Sequence, residues 1–288
     1  MRLEDETESS NVEDRRGGGM ARVGGIGIGT TVIALIASYF LGIDPSTLLG
    51  VAETVQNATQ TETQGRQIDR ATDPEAAMRS EMAKILQKTE DTWGQLFQQM
   101  GGQYRKPVLV LYRGQTPTAC GSGQAAMGPF YCPGDQKVYL DMAFFREMEK
   151  RFRVGGDFAR AYVITHEIGH HVQKLTGVTE KTDAMRGRIS ERDFNKVSVR
   201  VELQADCFAG LWAQHANRAK PFLDPNDVDE ALRAANAIGD DMLQKQGRGV
   251  VVPDSFTHGS SAQRTRWFKT GFEAGSMKSC DTFAARDL

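Results

Sequence analysis

Hydrophobic positions along this chain fall first into an unbroken run, then into helical and strand periods. Residues 23–43 (VGGIGIGTTVIALIASYFLGI) carry no charge. About 20 such residues at 1.5 Å rise span a hydrocarbon core, so one transmembrane helix is predicted there. The stretch that follows, rich in Gln and Thr and without apolar period, predicts a flexible tether over 44–72. Asp73-Pro74 then supplies an N-cap and a first-turn proline. Behind it Met78, Met82, Ile85, Leu86, Trp93, Leu96 and Phe97 recur at helical spacing and predict a core-facing amphipathic helix.

Short apolar runs at 107–112 (PVLVLY), 130–131 and 138–140 come next, separated by Gly, Pro and Asp. They predict a small antiparallel sheet. From Asp141 onward every strong pattern is helical. Strands first and helices afterwards predict an α+β domain over 73–288, since the alternation of a βαβ fold is absent.

Composition narrows the picture. With 40% hydrophobic residues in 288, the chain buries a sizeable core. A net charge of -2 and the lack of a Lys/Arg-rich run exclude a nucleic-acid footprint. Arg15, Arg16 and Arg22 precede the apolar run, whereas Asp44 and Pro45 follow it. The positive-inside rule then predicts a cytoplasmic tail at 1–22 and a domain on the outer, periplasmic side of the cytoplasmic membrane. Cys120, Cys132, Cys207 and Cys280 all lie beyond the run, and none forms a Cys-x-x-Cys pair. Two disulfides suit an oxidising compartment. Of three connectivities, Cys120–Cys132 with Cys207–Cys280 is preferred, because the first closes a local turn-rich loop; buried free thiols are the alternative. No pattern fixes an oligomeric state.

The chemistry concentrates in VITHEIGHHVQKL, residues 163–175, which holds three of the chain's five histidines. His166 and His170 are i and i+4 on one helical face, with Cβ atoms about 5 to 6 Å apart, a spacing that lets two imidazoles reach one zinc ion. Glu167, one residue round the helix, is placed to handle the proton of a zinc-activated water. His171 points away and is expected to be a packing or surface histidine. A metzincin would need Gly and His where Gln173 and Thr176 stand, so that class is excluded. Downstream, a second helical pattern at 199–216 carries Glu202 and Asp206 at i and i+4. Glu202 is the expected third ligand. Asp206 is expected to accept the free ring N–H of a ligand histidine. Small residues Gly169, Ala209, Gly210 and Ala213 would let the two helices approach closely.

These residues resemble a known family. NVEDRR at 11–16, the apolar run, GIDP at 42–45, residues 120–139, THEIGHHVQ, ELQADCFAG and DSFTHGSSAQRTRWF together resemble the bacterial "putative neutral zinc metallopeptidase" family, with the gluzincin arrangement of its site. The resemblance covers nearly the whole chain. It implies a membrane-anchored, zincin-like fold with one zinc ion and a peptidase-like site, and leaves the substrate open.

On that reading the function is a zinc-dependent endopeptidase acting on protein or peptide substrates near the membrane. Zinc lowers the pKa of its water towards about 7 and polarises the scissile carbonyl, while Glu167 passes the proton to the leaving amine. His258, just before a capping-box helix start at Ser260, is the candidate donor to the developing oxyanion. Arg264 is a further candidate for binding substrate carbonyls. Ala125 and Ala126, in a short segment closed by Pro129, are candidates for an edge strand on which a substrate lies. The alternative is a catalytically silent zincin-fold factor that binds partners in the cell envelope, against which the intact Glu167 argues.

Overall fold

The computed structural model describes residues 1–17, 72–124 and 128–288. The chain divides into two compact units, Met1–Asp14 with Pro74–Leu288, and Arg15–Asp73. In the second, Arg16 and Asp73 form an ion pair at 2.7 Å. The segment 23–43 and nearly all of the tether lie outside the described residues. Among the described residues, no helix is long and apolar enough to cross a membrane.

In the larger unit, strand β1 (Val12–Asp14) precedes helix α1 (Ala76–Gln99). Strands β2 (Val108–Tyr112), β3 (Gln115–Thr118), β4 (Gly121–Gln124), β5 (Phe130–Cys132) and β6 (Lys137–Asp141) follow. Helices complete it: α2 (Ala143–Phe152), α3 (Asp157–Leu175), α4 (Val178–Asp183), α5 (Glu191–Ala219), α6 (Asp227–Ala237), α7 (Asp240–Arg248) and α8 (Ser261–Ala274). The mixed α+β arrangement fits a zincin-like domain.

The sheet is not the antiparallel one expected. Its order is β1-β2-β6-β5, with β1, β2 and β6 parallel and only β5 antiparallel, at one edge; β3 and β4 form a separate hairpin. The connection from β2 to β6 is long enough for a crossover, and it spends itself on the hairpin and on β5. Parallel neighbours are possible for that reason.

Within the stretch 1–22, residues 12–14 form a strand of the sheet. Val12 pairs with Leu109 and Asp14 with Leu111. The preceding residues strap across α1: Ser9 N–H donates to Ala83 O, and the Ser9 hydroxyl and Asn11 amide both donate to the buried Glu90 carboxylate at 2.7 Å.

The core explains the helical periods. Met82, Ile85, Leu86 and Trp93 of α1 are buried, and Trp93 meets Phe208 of α5 edge-on at 5.6 Å. Helices α3 and α5 pack through Gly169, where a Cβ would stand 2.9 Å from the Ala205 Cα. Gly210 serves a different neighbour from the one expected: a Cβ there would overlap the Phe268 carbonyl of α8, just as one on Gly271 would overlap that of Cys207. Two disulfides, Cys120–Cys132 and Cys207–Cys280, tie the β3-β4 region to β5 and α5 to the C-terminal turn.

Candidate metal centre and cleft

Both histidines of the zinc motif turn the same ring atom inward. His166 Nε2 lies 3.1 Å from Glu202 Oε2, and His170 Nε2 lies 3.5 Å from Glu202 Oε1. One atom from each of these three side chains falls within 4.8 Å of the others. A tetrahedral ion with bonds of about 2.0 to 2.2 Å spaces its ligand atoms by about 3.3 to 3.5 Å, so the donor set fits zinc.

The opposite ring atoms are committed. His166 Nδ1–H donates to Asp206 at 2.8 Å, and His170 Nδ1–H donates to Gln173 Oε1 at 2.8 Å. With a carboxylate and an amide oxygen as acceptors, both rings carry Nδ1–H, which leaves Nε2 as the atom that holds either a proton or the metal. Asp206, fully buried, also accepts from the Tyr162 hydroxyl at 2.5 Å and from Arg264 at 2.9 and 3.0 Å. Gln173 is held in turn by Val201 O at 2.6 Å and Gln204 Oε1 at 3.1 Å, and Gln204 donates to Cys280 O.

The electrostatics call for a cation. Burial opposes charging of His166, yet Asp206 and Glu202 outweigh it and raise its pKa to about 10. For Glu202, burial is likewise overcome, by His170 and His166, which hold it well below the ordinary carboxylate range. Asp206 is lowered to about 2, since Arg264 and His166 outweigh its burial.

The site opens into a cavity of about 910 Å³. His166, Glu167, His170 and Glu202 line it with Tyr131, Phe144, Val163, Phe194, Val201 and His258. The expected oxyanion donor His258 therefore reaches the same cleft. Its Nδ1 faces Asp240 Oδ1 at 3.1 Å, while Asp240 Oδ2 accepts the backbone N–H groups of Thr257, His258 and Gly259. The predicted capping box is present at Ser260 and Gln263. Arg264 also lines the cleft, but it is only 3% exposed, with its guanidinium on Asp206, Tyr162 and Ile238 O. Ala125 and Ala126 lie outside the described residues.

Sequence matching agrees with this geometry. Residues 1–283 match the family described as "Putative neutral zinc metallopeptidase". The chain belongs to that family. It is 46% identical to the uncharacterized protein YpfJ of Escherichia coli strain K12, over 98% of this chain and 99% of that one. It is 44% identical to the uncharacterized protein Mb2605 of Mycobacterium bovis over 64% of this chain and 65% of that one. No solved structure matches it. The family name implies zinc.

Four residues of the site escaped the sequence reading. Gln173 was legible in principle, because it stands one turn beyond His170 on the same face. Tyr162 likewise precedes His166 by one turn. Asp240, at the start of α7, acts through His258, and Tyr131 reaches the cleft from an edge strand; no spacing announces either.

Proposed function

We propose that this protein is a zinc-dependent endopeptidase with one zinc ion held by His166, His170 and Glu202. The observation that carries the reading is the convergence of two tautomer-fixed imidazoles and one carboxylate at 3.1 and 3.5 Å, beside Glu167, in a cleft of about 910 Å³.

When bound, zinc supplies Lewis acidity towards the scissile carbonyl and activates water at neutral pH. Glu167 takes the proton of the attacking water and delivers it to the leaving amine. His258 donates from Nε2 to the developing oxyanion. Because Nδ1–H faces Asp240, that donation requires the imidazolium, and Asp240 favours it: the hydrogen bond to Asp240 raises the His258 pKa against the effect of burial. The substrate lies extended along the outer edge of β5, the sheet's antiparallel edge strand, whose Phe130 and Tyr131 line the cleft.

Two disulfides support an oxidising, outer location. The uncharged apolar segment 23–43 supports membrane attachment, and the sheet shared by residues 12–14 and 108–112 supports placing both on one side of the membrane. The test is metal analysis of the full chain together with cleavage of a peptide library. Zinc near one per chain and cleavage abolished by chelation are expected; a zinc-loaded protein that cleaves no peptide refutes the endopeptidase reading.

A further inference from the structure

The third histidine of the motif is tied to the strand on which the substrate is proposed to lie. His171 is fully buried, one residue past the ligand His170. Its Nε2–H donates to Arg105 O at 2.6 Å, which leaves Nδ1 as an acceptor, and the Tyr131 hydroxyl meets that atom at 3.0 Å. The ring contacts repeat the link, with Tyr131 at 5.4 Å and Tyr104 at 5.6 Å from the His171 ring, both edge-on.

Two consequences follow from the proton count. The Tyr131 hydroxyl has a single proton and spends it on His171, so it offers the cleft only lone pairs. It is therefore not the oxyanion donor, although its ring lines the cavity; that part falls to His258. The bond joins the second residue of a three-residue edge strand to the helix carrying two ligands. The flanking residues of β5 are fastened elsewhere: Phe130 stacks on Tyr139 at 5.0 Å, and Cys132 is bonded to Cys120. Among the described residues, Tyr131 is the one that fixes the strand to α3 by a hydrogen bond.

We infer that His171 and Tyr131 are positioning residues: a strut that sets the height and register of β5 over the metal site, so that an extended substrate presents one chosen peptide bond. This rests on the endopeptidase reading. A strand slip of one residue exchanges the faces of every side chain, so a rail held at one point restricts cleavage to one frame.

The experiment compares Tyr131→Phe with wild type, a change that keeps the ring and removes only the hydroxyl. Three readouts are taken: zinc content, hydrogen exchange of residues 130–132 and 166–170 in the free protein, and mass-spectrometric mapping of cut sites in a long peptide. Expected are unchanged zinc, faster exchange confined to the strand, a kcat/KM lower by about tenfold, and cuts spread to neighbouring bonds. Unchanged exchange, or a single unaltered cut site with unaltered kcat/KM, overturns the strut while leaving the peptidase reading intact. A zinc-loaded wild type that cuts nothing overturns both. A purely structural bond would speed exchange and lower the melting temperature without moving the cut sites, and that outcome also refutes the inference.

Discussion

Asp240 binds His258 twice, accepting its backbone N–H at 2.7 Å on one carboxylate oxygen and facing its Nδ1 at 3.1 Å with the other. Loop and ring are thus aimed by one side chain at the start of α7. His258→Ala is expected to lower kcat by about a hundredfold with zinc content unchanged, because the donor acts only as charge develops on the carbonyl oxygen. Loss of zinc in that variant would instead make His258 a ligand.

The same relationship sets a pH dependence. Asp240 raises the His258 pKa, and the imidazolium is the donating form, so activity falls as pH rises through that value. Asp240→Asn removes the carboxylate charge and should move the alkaline limb of kcat/KM to lower pH. An alkaline limb that stays in place would separate it from His258.

Proton handling and metal holding are divided between neighbours. Glu167→Gln should keep zinc and lose hydrolysis, whereas Glu202→Ala should lose both. Gln173→Ala leaves the three ligands but frees the His170 ring, and a weakening of zinc affinity by about 10- to 100-fold is expected in a chelator competition. Full zinc affinity in Glu202→Ala would end the assignment of the third ligand.

Removing Arg264 strands a buried carboxylate. Arg264→Met is expected to destabilise the fold by about 3 to 5 kcal/mol in urea titration, since Asp206 would keep its charge without its main partner. A variant of native stability but weakened substrate binding would return Arg264 to the substrate.

Burial lowers the His171 pKa to about 4, with its hydrogen bond to Arg105 O the lesser, opposing influence. The unfolded chain takes up this proton near pH 6.5 and the folded one only near 4, so the stability that neutral His171 contributes is present above 6.5 and lost as pH falls to about 4. Its size is up to about 3 kcal/mol. Denaturant titrations between pH 7 and 4.5 should show this slope in wild type and a shallower one in His171→Gln; equal slopes would mean that the ring charges without opposition.

Tags at the two chain ends should be accessible from the same side of the cytoplasmic membrane, because β1 and β2 are neighbours in one sheet. Accessibility from opposite sides would mean that the strand pairing does not persist in the membrane-attached protein.

What the sequence disclosed follows from the range of each signal. His166, His170, Glu202 and Asp206 repeat at one helical turn within two helices, and helical spacing alone puts each pair on one face. Once Gly169 allows the helices to touch, the faces meet. The disulfide pairing was legible because one partner pair is local, which leaves the other by elimination. Strand β1 was not legible: Val12, Glu13 and Asp14 show no apolar alternation, and their partners lie far along the chain. The Arg264 contact with Asp206 was not legible, because an arginine near a carboxylate-rich site suits substrate or frame equally, and its burial is a property of the fold. Asp240 needed three consecutive N–H groups of a loop, an arrangement that residue types do not encode.

The strap of residues 1–14 also dictates an order of events. The ladder that Val12 joins does not exist until Leu109 has followed it in synthesis, so β1 has to wait for its partner. Parallel pairing across so much chain is slow to form, and until it does β2 presents an open edge. A chain that loses this segment would keep every ligand of the metal centre yet leave the edge of β2 open to pairing with another chain.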